Sequence, residues 1–148
     1  MKNVQFVSKD ASDEQVLAVV RKWVDVFAAG KFEAAFAALG YSITRGAIAS
    51  ADLIREAIKS YRSNIYFGDD SEFNVTSWRT ARGGNPNPLQ TISRFVPNSA
   101  GLAGAISYDL PLNGKWSDLT ADFVLFDRKD PEGLQLRLEE IRGPQNGD

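Results

Sequence analysis

Two apolar periodicities divide the chain: one of three to four residues from about Ser12 to Arg62, and one of two residues from about Phe73 to Arg142. The first buries one stripe of a helix, and the second buries one face of a strand. Helices followed by a run of strands define the α+β class, in which helices pack on one face of an antiparallel sheet. At 148 residues the chain has the length of one domain. Such a domain buries roughly 68–70% of the surface its unfolded chain exposes, so it needs neither metal nor disulfide.

Residues 1–11 read as a polar lead-in in which Val4 and Phe6 could add an edge strand. Ser12 and Gln15 form a capping-box pattern, and Asp13 and Glu14 place negative charge on the positive end of a helix. Val16, Val20, Trp23, Val24 and Phe27 recur along that helix, and Gly30 stands at its C-terminal stop. A second helix is expected from Lys31 to Leu39, closed by Gly40, and a third from a cap at Ser50 to about Ser63, with Leu53, Ile54, Ile58 and Tyr61 as its stripe. Strands are expected at 73–78, 89–96, 102–110, 119–127 and 134–142, the last two joined as a hairpin through RKDPEG. ARGGNPNP at 81–88 reads as a loop, PNSAG at 97–101 as a turn, and Asn113-Gly114 as turn chemistry. The expected organisation is one domain over 12–142 with a disordered tail at 143–148.

The chain has no histidine and no cysteine. That removes imidazole acid/base chemistry, thiol nucleophiles, disulfides and nearly all zinc or copper sites. Net charge is −2 with both signs interspersed, which offers no field for phosphate backbones or anionic lipid. No basic segment and apolar run open the chain, and no apolar run nears 18 residues. The expectation is a cytoplasmic protein with no cofactor, no metal, no nucleic-acid partner and no membrane partner.

The order helix, helix, short strand, helix, then long antiparallel strands, together with the phrase VRKWVDVFAAGKFEAAFAAL at 20–39, resembles the nuclear transport factor 2-like superfamily. The resemblance implies a curved antiparallel sheet of five to six strands wrapped around the first helix as a cone. Its enzymes, such as ketosteroid isomerases and polyketide cyclases, place a carboxylate base and a tyrosine or other donor inside the cone. Many members are dimers through the outer sheet face. The phrase WSDLTADFVL from Trp116, followed by LQLRLEEI, also looks like a group of uncharacterised small bacterial domains that supplies no catalytic residues to carry over.

Strand parity tests the enzyme implication. Leu119, Ala121, Phe123 and Leu125 share a face with Leu134, Leu136 and Leu138, and with Leu102, Ile106, Tyr108 and Leu110. Ser107, Asp109, Thr120, Asp122, Gln135, Arg137 and Glu139 fall on the other side, so the core face of these strands carries no carboxylate. A desolvated base would then need a register-inverting bulge or a residue at an element's end. Asp109 and Asp118 are the candidate acids, with Tyr41, Tyr108 and Arg94 as donors. The plainer alternatives are solvated strand residues, a turn role for Asp118 and a core role for Trp116.

Other chemistries are weaker. Gly83-Gly84 and Gly101 to Gly104 lack the spacing of phosphate loops. Asp69-Asp70 and Glu139-Glu140 read as solvated acidic edges. Trp78, Arg79 and Arg82 would be a thin basis for stacking on single-stranded nucleic acid.

Two functions remain in view. The first is a protein-interaction or self-associating module, immunity-type in one version, working through the outer face, where Val124, Phe126 and Ile141 form an apolar end, with Trp78 added as a further interface candidate. The second is a pocket for a small apolar ligand, or an isomerase- or cyclase-type site, lined by Trp23, Phe27, Tyr41 and Tyr108. In the 89–96 strand, Leu89 and Phe95 compete with Ile92 and Val96 for the core, and the winner sets the direction of Arg94.

Overall fold

The amphipathic segment after Ser12 becomes the helix α1 (Asp13–Ala28), and both halves of its capping box form: Gln15 N–H donates to Ser12 Oγ at 3.2 Å and Ser12 N–H to Gln15 Oε1 at 2.8 Å. In this computed structural model residues 6–8, 10–31, 34, 43–44, 47–48, 55–56, 58–61, 66–67, 72–96, 101–127 and 133–143 are described. The strands are β1 (Phe6–Val7), β2 (Ile43–Thr44), β3 (Ala47–Ile48), β4 (Gln90–Arg94), β5 (Leu102–Leu112), β6 (Lys115–Asp127) and β7 (Leu134–Arg142). The chain is α+β. Of the expected second helix nearly all lies outside the described residues, as does Tyr41; in the third, residues 55, 56, 58 and 59 are helical.

One antiparallel sheet has the order β1-β7-β6-β5-β4, and β2 pairs with β3 separately. Of its five strands, β1 has only two residues, which leaves four strands of five or more residues in the described sheet. Asn113 and Gly114 carry φ values of 51° and 82° and close β5 onto β6 as a two-residue turn. That turn suits the right-handed twist of the strands it joins.

The segment 73–78 does not become a strand. Phe73 and Val75 are buried as its period of two implies, but Val75 makes only an isolated bridge to Leu112. Pro111 accepts from Thr76 N–H at 3.0 Å and has no N–H to return, so the ladder stops. The chain instead wraps the tip of the β5–β6 hairpin, with Arg82 N–H donating to Gly114 O and Asn85 N–H to Trp116 O, each at 2.9 Å.

α1 lies on one face of the sheet. Trp23 meets Phe27 and Phe123 edge to face at 5.1 and 5.2 Å between ring centroids. Trp23, Phe27, Tyr108, Phe123, Leu125, Leu136 and Leu138 are all at most 2% exposed. These described side chains pack closely between α1 and the sheet, as interiors packed near crystal density do.

Three irregularities break the parity. Between Asp122↔Glu140 and Phe123↔Leu138, β7 carries one extra residue, Glu139. The expectation that Ile141 sits on the outer face is corrected here: the bulge opposes it to Ala121 and buries it in the core. A second irregularity, between Asp109↔Thr120 and Pro111↔Trp116, sets Ser117, Asp118 and Leu119 of β6 against Leu110 alone. The third inserts Ala103 into β5. In β4 the register resolves in favour of Ile92: Gln90, Ile92 and Arg94 pair with Tyr108, Ile106 and Gly104, while Leu89, Phe95 and Val96 are exposed. No helix among the described residues is long and apolar enough to cross a membrane.

Candidate functional site

Of the residues named for an interior pocket, Tyr41 lies outside the described residues and the other three are occupied in packing. Trp23 and Phe27 belong to the ring cluster against Phe123, and Tyr108 is wholly buried with its ring 6.4 Å from that of Trp116. Burial pushes the Tyr108 hydroxyl above its ordinary pKa, and the Arg21 guanidinium works in the other direction.

The two candidate acids lie in different places. Asp109 is on the side of the sheet away from α1, yet only 2% exposed, because residues 85–89 fold over it. Its Oδ2 accepts from Leu89 N–H at 2.8 Å and Asn85 Nδ2 at 3.1 Å, and its Oδ1 from the Thr120 hydroxyl at 2.6 Å. Desolvation raises its pKa, opposed by the Leu89 and Thr120 hydrogen bonds. Asp118, released from alternation by the bulge, accepts from the Tyr61 hydroxyl. Tyr61 belongs to an edge-to-face cluster with Phe67 and Phe73 at 5.8 and 5.0 Å. Sequence reasoning assigned Tyr61 only to a helix stripe; nothing local signals its acid partner 57 residues away.

Arg94 turns to the α1 side and is paired there, donating to Asp13 Oδ1 at 3.0 Å and to Ala11 O at 2.9 Å. It fastens the end of β4 to the start of α1. On the outer face, Asp122 receives Ser107 Oγ at 2.8 Å and the Arg142 guanidinium. Val124 and Phe126 are half-buried, and the Arg137 guanidinium lies 4.1 Å from the Phe126 ring centroid. Polar groups and a covering arginine thus occupy much of the face expected to be sticky.

Among the described residues, β4 is one of the two edges of the sheet, β1 being the other, and no strand pairs with its outer side. Asp109 N–H donates to Leu89 O at 2.8 Å and Phe95 N–H to Ala103 O at 3.0 Å. In antiparallel alternation, Leu89, Thr91, Ser93 and Phe95 therefore bond to β5, and the N–H and C=O groups of Gln90, Ile92 and Arg94 point off the edge. Leu89, Phe95 and Val96, exposed by 40, 44 and 89%, stand at the two ends of this strand.

A second feature lies along α1, where Ala18, Arg21, Lys22 and Asp25 line a cleft of about 400 Å³ with Trp78 and Arg79. Arg21 and Arg79 lie over the Trp78 ring at 5.0 and 4.6 Å from its centroid. Two guanidiniums at that ring leave it poorly placed for base stacking. The spacing of 18, 21, 22 and 25 marks one helical stripe, legible in sequence only as a polar face.

Comparison with known proteins returns no match: no family model, no curated protein and no solved structure aligns with the chain. Among the described residues, fold and site together define an α+β domain with a tightly packed helix–sheet core and no strand on the outer side of β4.

Proposed function

We propose that this chain is a self-associating interaction module, in which β4 pairs antiparallel with β4 of a second copy. One observation carries the reading: an edge strand with three residues' backbone groups directed outward and exposed apolar side chains at both ends. A two-fold axis at Ile92 sets Ile92 against itself, Gln90 against Arg94, Thr91 against Ser93 and Leu89 against Phe95. No like charges meet, and the exposed leucine finds an aromatic partner. The packed interior is a second support for interaction over catalysis.

The proposal includes the nuclear transport factor 2-like cone, supported by a first helix packed on one face of an antiparallel sheet. The outer face, through which many members of that superfamily pair, is a weaker seam here, since residues 85–89 and Arg137 already lie on it.

Sedimentation equilibrium tests the pairing. The wild-type chain should show a concentration-dependent dimer, and Thr91→Lys with Ser93→Lys, both at exposed positions, should return it to monomer by setting lysines opposite lysines. A chain that stays monomeric at every concentration, or a dimer indifferent to the double substitution, sinks the idea.

A second reading, an isomerase- or cyclase-type site, has one supporting observation, the carboxylate of Asp118 held against the Tyr61 hydroxyl at a bulge. A thermal-shift screen of lipophilic carbonyl compounds tests it; a ligand at 100 times its dissociation constant raises stability by about 2.7 kcal/mol. Stabilisation lost in Asp118→Asn favours this reading, and no stabilised compound removes it.

A further inference from the structure

We infer that the cleft along α1 is a binding site for a small oxyanion-bearing molecule, a carboxylate or a phosphate, held by Arg21, Lys22 and the Trp78 indole N–H. Charge bookkeeping within the cleft motivates it. Asp25 is fully engaged, both its oxygens accepting from Arg79 Nη1 at 2.9 and 3.0 Å. Arg21 has no comparable anion: Nη2 donates to the neutral amide of Gln90 at 3.0 Å, and Glu14 Oε1 stands 3.8 Å from Nη1. Lys22 is exposed beside it. Among the described residues, Lys22 thus has no ion pair and Arg21 only this long one.

The second observation is independent of charge. Among the described residues, Arg21 Nε–H and Trp78 Nε1–H are buried donors with no acceptor. Two such donors on residues lining one cleft are unusual, because folded chains satisfy nearly all buried donors. An oxyanion supplies the missing acceptors and the missing negative charge together, and a guanidinium presents it a planar fork. The volume of about 400 Å³ is that of a small-molecule site. The guanidiniums over the Trp78 ring direct recognition to the indole N–H rather than to its face.

The test follows the Trp78 indole ¹H–¹⁵N resonance, assigned through Trp78→Phe, during titration of the full chain with succinate and separately with inorganic phosphate. Sodium chloride at matched ionic strength is the reference. A saturable shift in either arm, absent with chloride and weakened at least tenfold by Lys22→Gln or Arg21→Gln, is the expected result, and the stronger arm identifies the oxyanion. Arg82→Gln, outside the cleft lining, should leave the titration unchanged. A shift that chloride reproduces, one that both cleft variants retain, or no shift with either anion overturns the proposal. Lys22 is exposed, so its variant keeps the test informative if Arg21→Gln unfolds.

Discussion

Thr120 faces Asp109 across β5 and β6, and its hydroxyl donates to the Asp109 carboxylate at 2.6 Å beneath residues 85–89. A carboxylate placed on the solvent side by parity is thereby among the most buried groups of the sheet. Because burial raises its folded pKa above 3.8, the folded state holds the proton more tightly than the unfolded chain. Its contribution is therefore fully present below about pH 3.8 and is lost as pH rises through the raised folded value. Asp109→Asn should remove this component while keeping an oxygen for Leu89 and Asn85. Melting temperature against pH, compared between the two chains, checks it, and parallel profiles would refute it. Asp109→Ala, which leaves three donors unpaired, should cost about 3 kcal/mol.

The Glu139 bulge predicts unequal costs for two residues that share a nominal face. Ile141→Ala should lose about 2–4 kcal/mol because Ile141 is in the core, whereas half-buried Val124→Ala should lose about 1 kcal/mol. Urea unfolding of both variants decides it. Equal losses would place Ile141 back outside.

Two glycines with nearly the same φ should respond differently to alanine. At Gly114 (φ +82°) an added Cβ meets nothing within 4 Å, so only backbone strain of about 1–2 kcal/mol is expected. At Gly84 (φ +79°) it would lie 2.3 Å from the Trp116 carbonyl oxygen. Gly84→Ala should therefore be clearly the more destabilising, with the loop over Asp109 loosened and faster amide exchange at Asn85 and Leu89. An equal loss in both would show that space beside Trp116 does not matter.

Tyr61→Phe keeps the ring in its cluster but removes the hydroxyl donated to Asp118. A loss of about 1–2 kcal/mol in chemical denaturation is expected, while Tyr61→Ala, which also empties a core position, should lose about 3–5 kcal/mol. A Tyr61→Phe variant as stable as wild type would mean that the contact with Asp118 contributes nothing net.

Local rules sufficed for the α1 cap, its buried stripe, the Asn113-Gly114 turn and the inner face of Leu119 to Leu125, because each depends on residues a few positions apart. The α+β class follows from the order of those periods. What tertiary structure alone decided is where alternation fails and what covers it. Ile141 points inward and Asp118 reaches Tyr61 because strands of unequal residue count must stay hydrogen-bonded side by side, and the surplus is expelled as bulges. Asp109 is buried by Asn85 and Leu89, more than 15 residues earlier in the chain, and the cleft joins Asp25 to Arg79 across 54 positions. Such contacts carry no periodic signature. They arise only when segments far apart in sequence compete for the same backbone donors, acceptors and charge.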